Sequence, residues 1–174
     1  VMAMIITALS VARERELGTF DQLMVSPLTP AYILAGKAIP AFLITLLEAS
    51  AIIAIGVFLI GVPFTGSLIL LYLTMAAYIL ALVGVGLFIS SLCATQQQAI
   101  LGVFGFVLPA VLLSGYASPV DNMPQWLALT TEINPLRHFL VIAKGLFLKD
   151  MPASMVWSHT WPLLLIALST LSAA

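Results

Sequence analysis

Charge is what this sequence has least of. Six Lys and Arg and seven Asp and Glu make 7% of its 174 residues, against 62% hydrophobic residues and a mean hydropathy of +1.17. A soluble domain carries about 25% charged residues, and with so few a chain cannot build a wetted surface around a core. A water-soluble globular fold is excluded, and lipid is the expected solvent. The formal net charge of -1 offers no basic field, which excludes nucleic acid as a partner. Cysteine is nearly missing as well: Cys93 alone forms no internal disulfide and no multi-thiolate metal site, and reads as a small apolar residue. His138 and His159 are far apart in the chain and read as isolated, so no metal site is expected.

Catalytic signatures are missing in the same way. There is no Gly-x-x-x-x-Gly-Lys-Ser/Thr phosphate loop, so the chain is not expected to hydrolyse ATP. No His-Glu-x-x-His, no pair of intramembrane aspartates and no Gly-x-Ser-x-Gly is present either, which leaves a membrane-embedded enzyme poorly supported.

What the chain does have is long apolar runs. Residues 49 to 120 contain no charge; as one helix they would extend roughly 108 Å, several times a bilayer core of about 30 Å. The run must turn back. Gly61-Val62-Pro63-Phe64-Thr65-Gly66 and Thr95-Gln96-Gln97-Gln98 are the places where it can. The expected organisation is one all-α, polytopic transmembrane bundle over 1–174 with about five membrane segments. These are the end of a span (1–12), spans at 38–60, 67–91 and 99–115, and a last one at 155–174. Residues 13–36 form a cytoplasmic surface segment and 116–154 external helices. Val1, inside an apolar run, and Ala174, inside another, give the chain the look of part of a longer one. Helices are expected throughout, because unpaired backbone groups in hydrocarbon cost several kcal/mol each. Ala77, Ala81, Gly84, Gly102 and Gly105 are candidates for close helix contacts, and Pro40 and Pro109 for kinks. Arg13, Arg15 and Lys37 lie on one side and Arg137, Lys144 and Lys149 on the other, so the positive-inside count is tied.

The densest charge lies in Arg13-Glu14-Arg15-Glu16-Leu17-Gly18-Thr19-Phe20-Asp21-Gln22-Leu23-Met24, closed by Ser26-Pro27. Wound as one short helix, it puts Leu17, Phe20 and Met24 on one face and Glu14, Gly18 and Asp21 on another. From physics alone it is either a solvated helix end or a docking helix. Thr29-Pro30 reads as an N-cap with proline at the first helical position, restarting a helix through Lys37 into the membrane. The charged string through Leu28 resembles the cytoplasmic segment of ABC-2 type permeases in which acidic and basic residues precede Gly-Thr and a later Leu and Pro. A second resemblance lies in Ser114-Gly115, Pro119, Met123-Pro124, Trp126-Leu127 and Asn134-Pro135-Leu136, similar to the short external helices before that family's last span.

The resemblance implies the permease part of a bacterial inner-membrane ABC exporter. It implies a cytoplasmic ABC ATPase as partner, fused or separate, which would bind the ATP and Mg, with no cofactor on this chain. It also implies a second permease copy or paralogue, and a drug-like or lipid-like cargo moved by alternating access. Arg13, Glu14, Arg15, Glu16, Leu17, Gly18, Thr19, Phe20, Asp21, Leu23 and Met24 become the expected ATPase-coupling residues.

Two further readings come from the residues themselves. Asn134 caps and Pro135 starts a helix with an apolar stripe of Leu136, Phe139, Leu140, Ala143 and Phe147 opposite Arg137 and Lys144, too short to span and expected to lie in or dip into the interface. Trp126, Trp157 and Trp161 are expected interface anchors. Glu48, about 16 Å along its helix from Lys37, is the one charge well inside a span. It either lines a transport path or makes a hydrogen-bonded helix contact, and as a proton carrier it would suit an ion-coupled secondary transporter, the alternative function.

Overall fold

The computed structural model describes residues 1–19, 29–116, 124, 127, 130–149 and 151–174. Among these, all regular structure is helical: α1 (Met2–Glu16), α2 (Pro30–Ala54) continued by a π-helical turn (Ile55–Leu59), α3 (Leu68–Leu92), α4 (Gln96–Leu112), α5 (Pro135–Leu148) and α6 (Ala153–Ala173). Two of them, the α2 helix with its π turn and α3, are long and apolar enough to cross a bilayer outright. The other expected spans are shorter or more polar: α1 has 15 residues, α4 has 17, and α6 carries Ser158, His159 and Thr160.

α3 is the central post. It is apolar around its whole circumference, the pattern of a helix enclosed by others, and it touches all five of the remaining helices. Two glycines set how close its neighbours come. A Cβ at Gly86 would collide with Thr7 Oγ1 and reach to 2.8 Å of the Met4 carbonyl oxygen on α1. One at Gly84 would collide with Thr170 Oγ1 on α6. Positions two apart on a helix point to nearly opposite sides, so Gly86 admits α1 on one side of the post and Gly84 admits α6 on the other. This is the small-residue packing that replaces hydrophobic drive in lipid. Gly102 is likewise filled, by Ile89, while Gly105 faces open space.

A polar tie reinforces the α1 contact. The buried Ser90 hydroxyl donates to the Ala8 carbonyl and accepts from the Ala12 N–H at 3.0 Å, bridging the two ends of one turn of α1. An interhelical hydrogen bond of this kind is worth about 0.6–2 kcal/mol in a membrane.

Both expected turns are present. Gly61, at φ 75°, ends the π turn, which no residue pattern announces. Gly66 then donates its N–H to the Leu146 carbonyl at 2.9 Å, with no room for a side chain there, and Phe64 meets Phe147 edge to face at 5.0 Å. The outer turn is thus docked on the end of α5.

α5 buries a face that its apolar stripe does not mark. Its buried residues are Pro135, His138, Ile142, Gly145 and Leu146, whereas Leu136, Phe139, Leu140, Ala143 and Phe147 are only partly covered. The reason is that α5 packs inward on α3 and α6. Phe139 stacks on Tyr78 of α3 at 4.4 Å, ten residues below that helix's start, so α5 dips into the bundle. Asn134 fastens its entry: Oδ1 accepts from the Leu136 N–H at 3.0 Å and Nδ2 donates to the Ala110 carbonyl at 2.7 Å.

The close approach at Gly86 makes a direct forecast. Gly86→Ala must push α1 away from α3, and overpacking of this kind costs about 1–3 kcal/mol. Thermal unfolding of the detergent-solubilised protein is expected to show a lowered midpoint for Gly86→Ala and an unchanged one for Gly105→Ala. Equal midpoints for the two would contradict the packing described.

Candidate functional site

The expected coupling residues fall at the end of α1, and their local fold differs from the single amphipathic helix drawn from the sequence. Gly18 is left-handed at φ 71°. The Thr19 N–H bonds the Glu14 carbonyl at 3.0 Å and the Gly18 N–H bonds the Arg15 carbonyl at 3.1 Å, the paired closure of a Schellman motif. The helix therefore stops at Glu16, and the charged run is the last turn of α1 rather than a helix of its own. The backbone leaves the helix at Gly18, so the helical face that includes Leu17 ends there. Phe20, Asp21, Leu23 and Met24 lie outside the described residues.

Three consecutive charges each close on a different helix. Glu14 pairs with Lys37 of α2, and the same ammonium reaches the Ser10 carbonyl at 3.4 Å. Arg15 donates through Nη1 to the carbonyls of Ser91 at 2.6 Å and Cys93 at 3.3 Å, at the C-terminal end of α3. Glu16 accepts from the Gln96 backbone N–H at 3.0 Å and from its Nε2 at 3.1 Å, at the start of α4. A cation on the free carbonyls of one helix and an anion on the free N–H of the next satisfy orphan backbone groups and match both helix dipoles. The Gln96 backbone N–H, and then its side chain, hold the Glu16 carboxyl below its ordinary range, so it is ionised at neutral pH. Thr95 completes the turn by capping Gln98 at 3.3 Å.

Arg13 and the run Glu16 to Thr19 are exposed at this end, with Leu17 at 64%. Cys93 is buried at the end of α3, on the same side of the bundle as Arg13 to Glu16, as two intervening crossings require.

Glu48 is exposed on α2, amid the uncovered Leu43, Ile44, Leu47 and Ile52. No side-chain hydrogen bond or ion pair within the described residues reaches it. The uncovered side chains beside it are apolar.

The histidines correct another expectation. His138 and His159 are not isolated: their Nδ1 atoms stand 3.2 Å apart, joining α5 to α6. His138 Nε2 donates to the Glu132 carbonyl at 2.7 Å, which leaves its Nδ1 to accept from the Nδ1–H of His159. Glu132 and Arg137 pair nearby at 2.8 Å. Nothing in the spacing of two residues on separate helices announces such a contact. Trp157 and Trp161 of α6 are both at least half exposed.

Comparison with known proteins matches residues 1–148 to the ABC-2 type transporter family. The probable multidrug ABC transporter permease YbhR of Escherichia coli K12 is 58% identical over 98% of this chain and 46% of its own length. The probable multidrug ABC transporter permease YbhS of the same organism is 34% identical over 90% of the chain and 42% of its own. The inner membrane transport permease YhhJ is 30% identical over 95% and 44%. The chain thus spans under half the length of these relatives, and no solved structure matches it. With the charged segment and α5 inside the matched region, and an all-helical apolar bundle around them, the chain belongs to the ABC-2 type transporter family as a membrane-embedded permease domain.

Proposed function

We propose that the chain is part of the permease of an ATP-driven exporter in a bacterial inner membrane, moving drug-like or lipid-like molecules outward by alternating access. The observation that carries this is the end of α1, where an exposed Leu17 to Thr19 segment follows charges bound to three other helices. A partner pressing on that segment would act on the whole bundle. The names of the relatives, two of them probable multidrug ABC permeases, agree with the reading. ATP and Mg would be held by a cytoplasmic ABC ATPase, and a second permease copy or paralogue would complete the path. Closure of the ATPase pair would tilt the bundle as a rigid body between inward-open and outward-open forms.

In this scheme Leu17 and Phe20 supply the apolar contacts to the ATPase, and burying one such side chain is worth about 1.5–3 kcal/mol. Leu17→Ala and Phe20→Ala in the full-length permease are each expected to weaken co-purification of the ATPase roughly tenfold or more. Lys149→Ala, at the opposite end, is the control. Unchanged association for both variants would reduce the segment to a solvated helix end.

Glu48 is assigned to the transport path, because a carboxylate in hydrocarbon is expensive unless it faces water, cargo or a partner. Transport assays with paired cationic and neutral cargoes are expected to show Glu48→Gln lowering export of the cations alone. Equal loss of both, together with poor assembly, would make it a structural contact.

A further inference from the structure

Four of the charged residues on the cytoplasmic side are already bound within the chain, and this divides the expected coupling set in two. Among the described residues, Leu17 to Thr19 are exposed and make no side-chain hydrogen bond to another helix, whereas Arg15, half-buried, and Glu16, exposed, are each hydrogen-bonded to a helix end of the bundle. Their two contacts straddle the turn between α3 and α4. Arg15 holds Ser91 and Cys93 just before it and Glu16 holds Gln96 just after it. No other pair of adjacent residues in the described structure grips the ends of two different helices. The turn itself is short and internally fastened, by the Thr95 cap on Gln98 and by the Ala94 N–H to Gln98 Oε1 bond at 2.9 Å.

From this geometry we infer that Arg15 and Glu16 are positioning residues: they do not dock the ATPase but make the ends of α3 and α4 follow the end of α1 when the neighbouring segment is displaced. The inference rests on the permease reading above. Its physical basis is that Arg15 and Glu16 immediately precede the exposed Leu17, so a push on Leu17 is delivered to them within one helical turn. A charged donor on two carbonyls and a carboxylate on two N–H groups resist separation more than neutral bonds do. Ser90, five residues before Thr95, anchors the same end of α3 to Ala8 and Ala12 of α1. The link from α1 to α3 is thus double, through Ser90 and through Arg15, while the described hydrogen bonds from α1 to α4 are those of Glu16. Breaking the Glu16 contacts should therefore uncouple α4 before it uncouples α3.

The experiment uses the full-length permease reconstituted with its ATPase in lipid, with three readouts: ATPase association, basal hydrolysis and hydrolysis stimulated by cargo. Glu16→Ala is expected to retain association within about twofold, yet to lose most of the cargo stimulation, at least fivefold, with transport falling in parallel. Glu16→Gln, which keeps an oxygen able to accept the Gln96 N–H, is expected to retain more of the stimulation. Arg15→Ala, which leaves Ser90 tying α1 to α3 and Glu16 tying α1 to α4, is expected to lose less of the stimulation than Glu16→Ala. The decisive arm removes Cys93 by Cys93→Ser, together with any other native thiol of the full-length permease, and joins Glu16→Cys to Gln96→Cys with a short bis-methanethiosulfonate, each end forming a disulfide with release of sulfinate. Covalent linkage is expected to restore stimulation that the unlinked double variant lacks, which neither a docking role nor a merely folded state would produce.

Association and stimulation falling together would make these residues docking groups and overturn the inference. So would full stimulation in Glu16→Ala, or failure of the cross-link to rescue. Absence of any ATPase association by the unsubstituted permease would instead refute the permease reading on which the inference stands.

Discussion

The approach of α1 to α3 at Gly86 and Ser90 is the contact on which the rest of the bundle depends. Hydrocarbon gives apolar helices no reason to prefer each other over lipid, so association must come from close packing and from polar groups that find partners. At this seam both occur within five residues. Gly86 lets the backbones meet, and the Ser90 hydroxyl spends its donor and its acceptor on one turn of α1. Once that distance is set, the end of α1 lies where Arg15 and Glu16 can reach the two helix ends flanking the next turn. The clamp at this end of the bundle is a geometric consequence of a glycine within α3.

The opposite end of the molecule is organised differently. There α5 enters the bundle instead of crossing it, held by Asn134 at its start, by Gly66 at its end and by the His138 to His159 contact along its side. Its attachments are neutral hydrogen bonds, ring contacts and an apolar core in which Ile142 and Leu146 pack with Leu71, Val156 and Leu163 of α3 and α6. One end of the structure is thus tied through charge to backbone, the other through neutral contacts and apolar packing.

Much of this was legible in the sequence, for physical reasons that can be named. The scarcity of charge dictated lipid, and the turn chemistry of Gly61 to Gly66 and Thr95 to Gln98 divided the long apolar run where the structure does. Asn134-Pro135 and Thr29-Pro30 start helices as caps followed by proline. Other features were hidden. Gly18 looks like one more residue on a helical wheel, and only its positive φ shows that it ends α1. Rotational setting is decided by neighbours, so the stripe Leu136, Phe139, Leu140, Ala143 and Phe147 did not reveal which face of α5 is most buried. The histidine contact and the hold of Arg15 on Ser91 join residues distant in the chain, and a single sequence holds no record of such pairs. Seen as a string, Arg13 to Glu16 is a surface charge cluster; folded, most of it is internal fastening.

The central claim is that the end of α1 and the turn between α3 and α4 move as one piece. Spin labels at Arg13→Cys and Gln97→Cys in a Cys93→Ser background, both exposed positions, measure it directly in the full-length transporter. The account predicts that the Arg13 to Gln97 distance distribution stays the same with and without trapped nucleotide, while labels at Gln97 in two permease copies shift relative to each other. A change in the Arg13 to Gln97 distance on trapping nucleotide would contradict it.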